Sequence, residues 1–397
     1  MTITSKTQRV VFLDLLRALA VLMMVQGHTI DLLLATEYRS DDYLSFRLWQ
    51  FVRGVTAPIF LLTTGAVFIY LLRSTAAPLR RNPRLAKGIK RALLLFALGY
   101  LLRFPSSSIT GVFAVPAEYW PAFRVVDVLQ LIGAGLLLLL FGAFLAERFK
   151  VSDYAVFAGA GLFFFVCAPF CEQVNWNEWL PAAVAAYFYT GSGSHFPLFP
   201  WAGYVMSGGA LGAYLARAAH SERELVEPFR LSQRLSVAGT LLLAFYYCCG
   251  QIKASGIGAG FLWDSNPDLV LLRLGSVLLL MALIALLSAG ICSVSPTLLL
   301  IGQRTLLIYV AHAVILYGSA WNSGLNQLCD KCLPVWPALL AALLMQAAMI
   351  GLAVAWSKIV IGGFWGNLSV RPLTDALWSR KKSAQWLHHL AGAKKIR

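Results

Sequence analysis

Four ionisable residues lie in the first long apolar segment of the chain: Asp14, Arg17, His28 and Asp31. A charge inside a bilayer costs several kcal/mol unless it is paired or faces water, so intramembrane charges are functional candidates. On a helix with 100° per residue, these four side chains project within an arc of about 100°. The segment therefore predicts one polar face that lines an interior.

His28 and Arg17 should lie at different depths in the membrane. With a rise of about 1.5 Å per residue, His28 lies roughly 16 Å beyond Arg17 and near the outer surface of the hydrocarbon core. An imidazole there can act as a general base toward a hydroxyl or an amine, and Asp31, one turn on, can hold its tautomer. The alternative is an interfacial histidine that only satisfies its hydrogen bonds.

Arg17 lies too deep to reach the membrane surface easily. Asp14, one turn earlier, can pair with it, and a buried ion pair of purely structural value is one interpretation. In the functional interpretation, the guanidinium faces a tunnel and binds the phosphate or carbonyl of an acyl donor.

Later apolar segments carry further polar residues that could join the same cavity and bind a donor or an acceptor. These residues are Arg53, Asp127, Gln130, Arg273, Arg304, Tyr309 and His312. For His312, a hydrogen-bonded core histidine is the alternative. The sequence contains no Walker loop, His-Glu-x-x-His or Gly-x-Ser-x-Gly motif, and no metal is predicted.

The composition is that of a polytopic membrane protein. The 397 residues are 59% hydrophobic and 13% charged, whereas soluble domains average about 25% charged residues. Apolar segments long enough to span a bilayer predict an all-α bundle of about ten transmembrane helices, at residues 10–34, 50–72, 90–103, 125–146, 154–171, 199–216, 236–250, 268–290, 298–320 and 335–361. The first segment is too long and too charged for a signal peptide, so it stays as a helix.

The distribution of Lys and Arg predicts that both termini are cytoplasmic, with about 22 of these residues inside and about 7 outside. Two dense clusters lie between the second and third segments and at the C-terminus: Arg73, Arg80, Arg81, Arg84, Lys87, Lys90 and Arg91, then Arg380, Lys381, Lys382, Lys394, Lys395 and Arg397. They set topology and attract anionic lipids, or else concentrate a polyphosphate ligand. We predict a transmembrane domain over residues 1–370 and a basic cytoplasmic tail over residues 371–397.

Despite the net charge of +15, the basic residues are spread over loops without a binding module, which argues against a nucleic-acid partner. In the predicted outer loops, Cys329 and Cys332 could form a local disulfide if the compartment is oxidising. The tryptophans near residues 172–201 are interface anchors or the lining of a sugar-binding crevice. Gly208 and Gly212 have the spacing of a close helix contact.

The pair Arg17 and His28, separated by ten residues in the first helix, resembles the signature of the integral-membrane acyltransferases. These comprise the acyltransferase-3 group and the heparan-glucosaminide N-acetyltransferase-like group. Supporting matches are Arg53-Gly54 with Pro58, Lys90 to Phe96, Val128-Leu129-Gln130, and Gly302 to His312. The stretch from Pro197 to Gly203 is more similar to the heparan-type group.

The resemblance implies an enzyme that moves an acyl group, most simply acetyl, from cytoplasmic acyl-CoA to an extracytoplasmic glycan or related envelope acceptor. His28 would deprotonate the acceptor or carry the acyl group, Asp31 would orient His28, Arg17 would hold the donor, and Asp14 would hold Arg17. The expected location is a bacterial inner membrane, with lipids as neighbours and the oligomeric state left open. The alternatives are a secondary transporter or flippase, which also uses buried charges, and a scaffold without chemistry.

Overall fold

The computed structural model describes residues 11–75, 77–108, 110–220, 228–255, 268–290 and 294–361. These residues form α-helices and short 3-10 turns, with isolated β-bridges as the only extended pairing among them. The all-α prediction is therefore confirmed. The α-helices are α1 (Val11–Leu33), α2 (Leu44–Arg73), α3 (Pro83–Leu102), α4 (Trp120–Arg124), α5 (Val128–Phe149), α6 (Asp153–Gln173), α7 (Ala182–Ala185), α8 (Leu198–His220), α9 (Pro228–Ala254), α10 (Asp268–Gly290), α11 (Pro296–Gln303), α12 (Thr305–Tyr317) and α13 (Val335–Ile361).

Seven described helices are long and apolar enough to cross a membrane: α1, α2, α5, α6, α9, α10 and α13. The pair α11 and α12 makes an eighth span if the two count as one. The chain is therefore an integral membrane helix bundle. Helices α3 and α8, which the ten-segment prediction also counts, fall below this criterion, so the count of ten and the cytoplasmic termini stay predictions.

The predicted segment 298–320 is not one continuous helix, because the chain bends by 72° between α11 and α12. Gly302, at the end of α11, lies directly on the backbone of α1: an added Cβ would stand 2.3 Å from the carbonyl oxygen of Asp14. The chain then turns at Arg304, whose backbone leaves the helical region. This bend brings α12 alongside the polar face of α1.

Helix α1 lies among other helices along its length. It packs against α2, α10, α11 and α12, and the amide of Gln346 on α13 donates a hydrogen bond of 3.0 Å to the carbonyl of Leu22. Because its neighbours cover it, a polar face on α1 can meet protein partners instead of lipid, as a membrane requires.

The predicted small-residue contact at Gly208 and Gly212 is confirmed. An added Cβ on Gly208 would stand 2.0 Å from the carbonyl oxygen of Leu62, and one on Gly212 would stand 2.3 Å from that of Ala66. Helices α8 and α2 therefore touch through their backbones, which only glycine permits at these positions.

Packing divides the chain into two units, Met1–Ile350 and Gly351–Arg397. All site residues described below belong to the first unit. The predicted domain boundary at residue 370 and the basic tail 371–397 lie outside the described residues, so the domain assignment stays a prediction.

We expect Gly208→Ala to destabilise the protein by about 1–3 kcal/mol, because the added methyl group must push α8 away from α2. Gly159→Ala on α6 is the matched control, since no atom lies within 4 Å of the added Cβ there. Thermal unfolding in detergent, followed by fluorescence size exclusion, measures both variants. Equal melting temperatures for the two variants would contradict the backbone contact.

Candidate active site

The ring of His28 is hydrogen-bonded to a second histidine. Its Nδ1 lies 3.1 Å from Nε2 of His312 on α12, and the Nδ1 of His312 lies 2.8 Å from the carbonyl oxygen of Ile308. His312 is fully buried, whereas His28 is partly buried, and the ring of Tyr317 meets His28 edge to face at 6.0 Å. Helices α1 and α12 thus meet through two imidazoles.

Asp31 does not hold His28, which corrects the expected orienting role. Its carboxylate accepts hydrogen bonds from Arg39 at 3.3 Å and from Arg53 at 2.7 Å. Both oxygens are therefore engaged by guanidinium groups, and the ring partner of His28 in the described structure is His312. Asp31 instead anchors two cations one turn beyond His28.

Arg17 and Asp14 form the expected pair on α1, with 3.8 Å between Nη1 and Oδ1. Arg17 also donates a hydrogen bond of 3.3 Å to the hydroxyl of Thr305 in the first turn of α12. Since Thr305 directly follows the bend after α11, Arg17 is held where the broken helix pair meets α1. The ion pair is present, and it leaves the guanidinium at a cavity.

A cavity of about 360 Å³ lies between α1, α2, α3, α5 and α12. Apolar side chains line most of it, and its lining follows α3 from Arg84 to Leu95, about 16 Å along the helix axis. Its polar lining includes the cations Arg84, Lys87, Arg91 and Arg17 together with Thr305 and Tyr309. Part of the basic cluster that the sequence assigns to topology or to a polyphosphate therefore lines a cavity.

Tyr309 lies between this cavity and the histidine pair. It is buried and lines the cavity, and its ring meets that of His312 edge to face with 5.5 Å between the centroids. A larger groove of about 1830 Å³ between α6, α8, α9 and α10 contains none of the predicted site residues. The smaller cavity is therefore the better candidate for the site.

Asp127 and Gln130 cap the start of α5. The carboxylate of Asp127 binds Arg103 at 2.8 Å, and the Gln130 side chain accepts a hydrogen bond from the Asp127 backbone at 3.2 Å. Gln130 is fully buried beside Gly99, and its Nε2 has no hydrogen-bond partner in the described structure. Both residues have a clear structural function, and neither lines the cavity.

Two arginines lie near the predicted outer end of α1. The side chain of Arg53 passes over Gly27, where an added Cβ would meet its Cγ at 3.6 Å, and its guanidinium lies 5.5 Å from the ring centre of Trp49. Arg273 lies beside Gly54 and over the ring of Trp201, 5.6 Å from its centre. Arg53 therefore lies beside the turn of α1 that carries His28, and Arg273 lies beside the neighbouring helix α2. Arg304, in contrast, lies at the bend and does not line the cavity.

The loop before α13 forms hydrogen bonds with the C-terminal end of α1. Cys329 and Cys332 form a disulfide, which settles the alternative that the sequence left open. The backbone amides of Lys331 and Leu333 donate hydrogen bonds of 2.8 Å to the carbonyls of Leu32 and Leu33. These carbonyls belong to the last turn of α1 and have no partner within the helix, so the loop caps the helix that carries His28.

Sequence reasoning missed several partners of the site: Arg39, Arg103, Thr305 and Tyr317. Arg39 follows Asp31 by eight residues in a polar stretch, and this spacing could have indicated a local ion pair. Thr305 and Tyr317 carry no comparable signal, because only the bend between α11 and α12 brings them to α1.

A membrane helix bundle with ionisable groups between its helices is typical of membrane-embedded enzymes and transporters. The model of the heparan-alpha-glucosaminide N-acetyltransferase catalytic-domain family matches residues 9–250. This match covers more than half of the chain, so the chain belongs to that family, and the resemblance found in the sequence is confirmed. No individually curated protein matches the chain. The family is one of acetyltransferases, which favours the enzyme over the transporter; Tyr309 and His312 lie beyond the matched residues.

We expect Cys329 and Cys332 to react with a membrane-impermeant maleimide on intact cells only after reduction by an impermeant reductant. The disulfide blocks both thiols, and the orientation predicted from Lys and Arg puts this loop outside. The Cys329→Ser/Cys332→Ser double variant gives the background labelling. Labelling before reduction would contradict the disulfide. Labelling only after permeabilisation would contradict the orientation.

Proposed function

We propose that this chain transfers an acyl group, most simply acetyl, from cytoplasmic acyl-CoA to a hydroxyl or amine of a glycan or related acceptor on the outer side of a bacterial inner membrane. The observation that carries the proposal is the arrangement along α1. Arg17 lines a cavity with a cationic wall, and His28 lies about 16 Å further along the same helix. One helix thus joins a donor side to an acceptor side.

The cavity suits the donor in charge and polarity. Arg84, Lys87 and Arg91 supply positive charge for the phosphates of CoA, and the apolar wall suits the pantetheine arm and the acyl group. Arg17, fixed by Asp14 and Thr305, donates to a phosphate or an amide carbonyl of the donor, because about 16 Å of helix separates it from His28, where the thioester reacts. The family match supports acetyl-CoA as the donor.

His28 is the base in this proposal. It removes the proton from the acceptor hydroxyl or amine, whose oxygen or nitrogen attacks the thioester carbon. The C–S bond breaks, the acyl group moves to the acceptor, and the CoA thiolate leaves and takes up a proton. In a second route, His28 itself attacks the thioester and carries the acyl group before the acceptor does, and the acceptor proton then goes to the released imidazole.

The outer end of α1 suits a sugar acceptor. Arg53 and Arg273, each over a tryptophan ring, lie beside the backbone around Gly27 and Gly54. Aromatic faces stack on sugar rings, and the guanidinium groups bind hydroxyl or acidic substituents. The capping disulfide supports an oxidising outer compartment on this side.

A transporter or flippase remains the second candidate, and the bent pair α11 and α12 is the observation in its favour, because transporters use broken helices at substrate sites. Among the described helices no other pair is bent in this way, whereas inverted-repeat transporters use matching breaks in both halves. The acetyltransferase family match therefore favours the enzyme.

We expect His28→Ala to lower the rate of acyl transfer about 10²- to 10⁴-fold, the contribution of a general base, while CoA affinity by calorimetry stays unchanged. His195→Ala, an exposed histidine in the loop before α8, is the control for folding and rate. A folded His28→Ala variant with the normal rate would refute the assignment of the base. If the wild-type protein did not bind acyl-CoA, the transporter would be favoured.

We expect Lys87→Gln and Arg91→Gln each to raise the Kd for CoA about 10- to 150-fold, since a hydrogen bond to a charged group contributes roughly 1.5–3 kcal/mol. Lys90→Gln is the matched control, because Lys90 lies on the same helix, one residue from Arg91, but does not line the cavity. Dephospho-CoA, which lacks the 3′-phosphate, tests whether contacts to this phosphate cause the difference in Kd between the cavity variants and Lys90→Gln. If Lys90→Gln and Arg91→Gln raised the Kd for CoA equally, the effect would come from general surface charge, and the cavity would be refuted as the donor site.

A further inference from the structure

Each ring nitrogen of His312 has a different partner. Its Nδ1 lies 2.8 Å from the carbonyl oxygen of Ile308, one turn earlier on α12, and its Nε2 lies 3.1 Å from Nδ1 of His28. The His312 ring is fully buried, with Tyr309 against it edge to face. The hydrogen bond to Ile308 is buried and the one to His28 is partly buried, so a mismatched donor or acceptor would be costly in both.

These partners determine which nitrogen carries each proton. A carbonyl oxygen only accepts, so the Nδ1 of His312 carries a hydrogen and donates it to Ile308. In a neutral ring the Nε2 of His312 is then an acceptor, and the Nδ1 of His28 must donate to it. The remaining nitrogen of His28, Nε2, consequently bears a lone pair.

We propose that His312 is a positioning residue that holds His28 in the Nδ1-protonated tautomer, so that Nε2 faces the reactants as the base. This inference rests on the proposed function for its catalytic consequence. Asp31 does not fill this place, because its carboxylate pairs with Arg39 and Arg53, and the Nδ1 of His28 lies against His312 instead.

The same contact stabilises the product of proton transfer. When the Nε2 of His28 takes the acceptor proton, the ring becomes a cation, and its Nδ1–H then donates a charge-assisted hydrogen bond to His312. The proton stays on His28, because a cation on the fully buried ring of His312 would cost more than one on the partly buried ring of His28. His312 thus orients the base and stabilises its charged form without reacting.

Nitrogen-15 NMR of the histidine-labelled protein in lipid reads the tautomer directly. The chain has six histidines, and the difference spectrum against His28→Gln assigns the His28 signals. We expect a protonated Nδ1 and an unprotonated Nε2 for His28 in the resting wild-type enzyme. A proton on Nε2 would overturn the proposal, whatever the activity.

Two substitutions of His312 test the acceptor alone. In His312→Gln the side-chain carbonyl lies near the former Nε2 and can accept from His28, whereas His312→Leu offers no acceptor. We expect His312→Leu to show a mixture of His28 tautomers. Its kcat should fall about 10- to 100-fold, the range for partners that orient a reactive ligand, while its KM for the donor stays unchanged. His312→Gln should keep the tautomer and stay within about fivefold of wild type in kcat.

The proposal would be overturned if both folded variants lost the same factor in kcat. A normal kcat in His312→Leu would overturn it as well. If His312→Leu does not fold, the wild-type spectrum and His312→Gln still decide the tautomer. Failure of the proposed function has another signature: His28→Ala would retain full activity while the wild-type spectrum still shows the fixed tautomer.

Discussion

The polar side chains of α1 need hydrogen-bond and charge partners inside a membrane, and the rest of this structure depends on this constraint. Lipid offers no hydrogen bonds, so each polar side chain of α1 needs a partner from the protein. Arg17 hydrogen-bonds to Thr305, His28 hydrogen-bonds to His312, and Asp31 accepts a hydrogen bond from Arg53. These partners lie on two helices, α12 and α2, that flank α1.

The bend between α11 and α12 follows from the same requirement. Gly302 brings α11 onto the backbone of α1 near Asp14, and the turn at Arg304 lets α12 run beside the segment between Arg17 and His28. A straight helix leaving this contact at a different angle would separate from α1 before reaching His28. The bend therefore allows one helix to supply both Thr305 and His312.

The features that the sequence predicts correctly depend on short spacings along the chain. The shared face of Asp14, Arg17 and His28, the close contact at Gly208 and the disulfide of Cys329 all follow from periodicity or short separations. The partner of His28 could not be predicted in this way, because 284 residues separate it from His312 and the two helices meet only after the bend. The one-turn spacing favours a contact of Asp31 with His28, but a carboxylate gains more from the two nearby guanidinium groups of Arg39 and Arg53 than from one neutral imidazole.

Tyr309 separates the two sides of the proposed reaction. The cavity with Arg17 reaches Tyr309, whereas His28 lies on the other side of the ring contact between Tyr309 and His312. An open channel at this point would let water and ions cross the membrane, so a transferase that works on two compartments needs a barrier between them. In the proposed reaction, the thioester end of the donor must pass this ring to meet an acceptor at His28. Tyr309 packs against His312, the proposed orienting residue, so in the proposed reaction a movement of the Tyr309 ring would also disturb the hydrogen bond between His312 and His28.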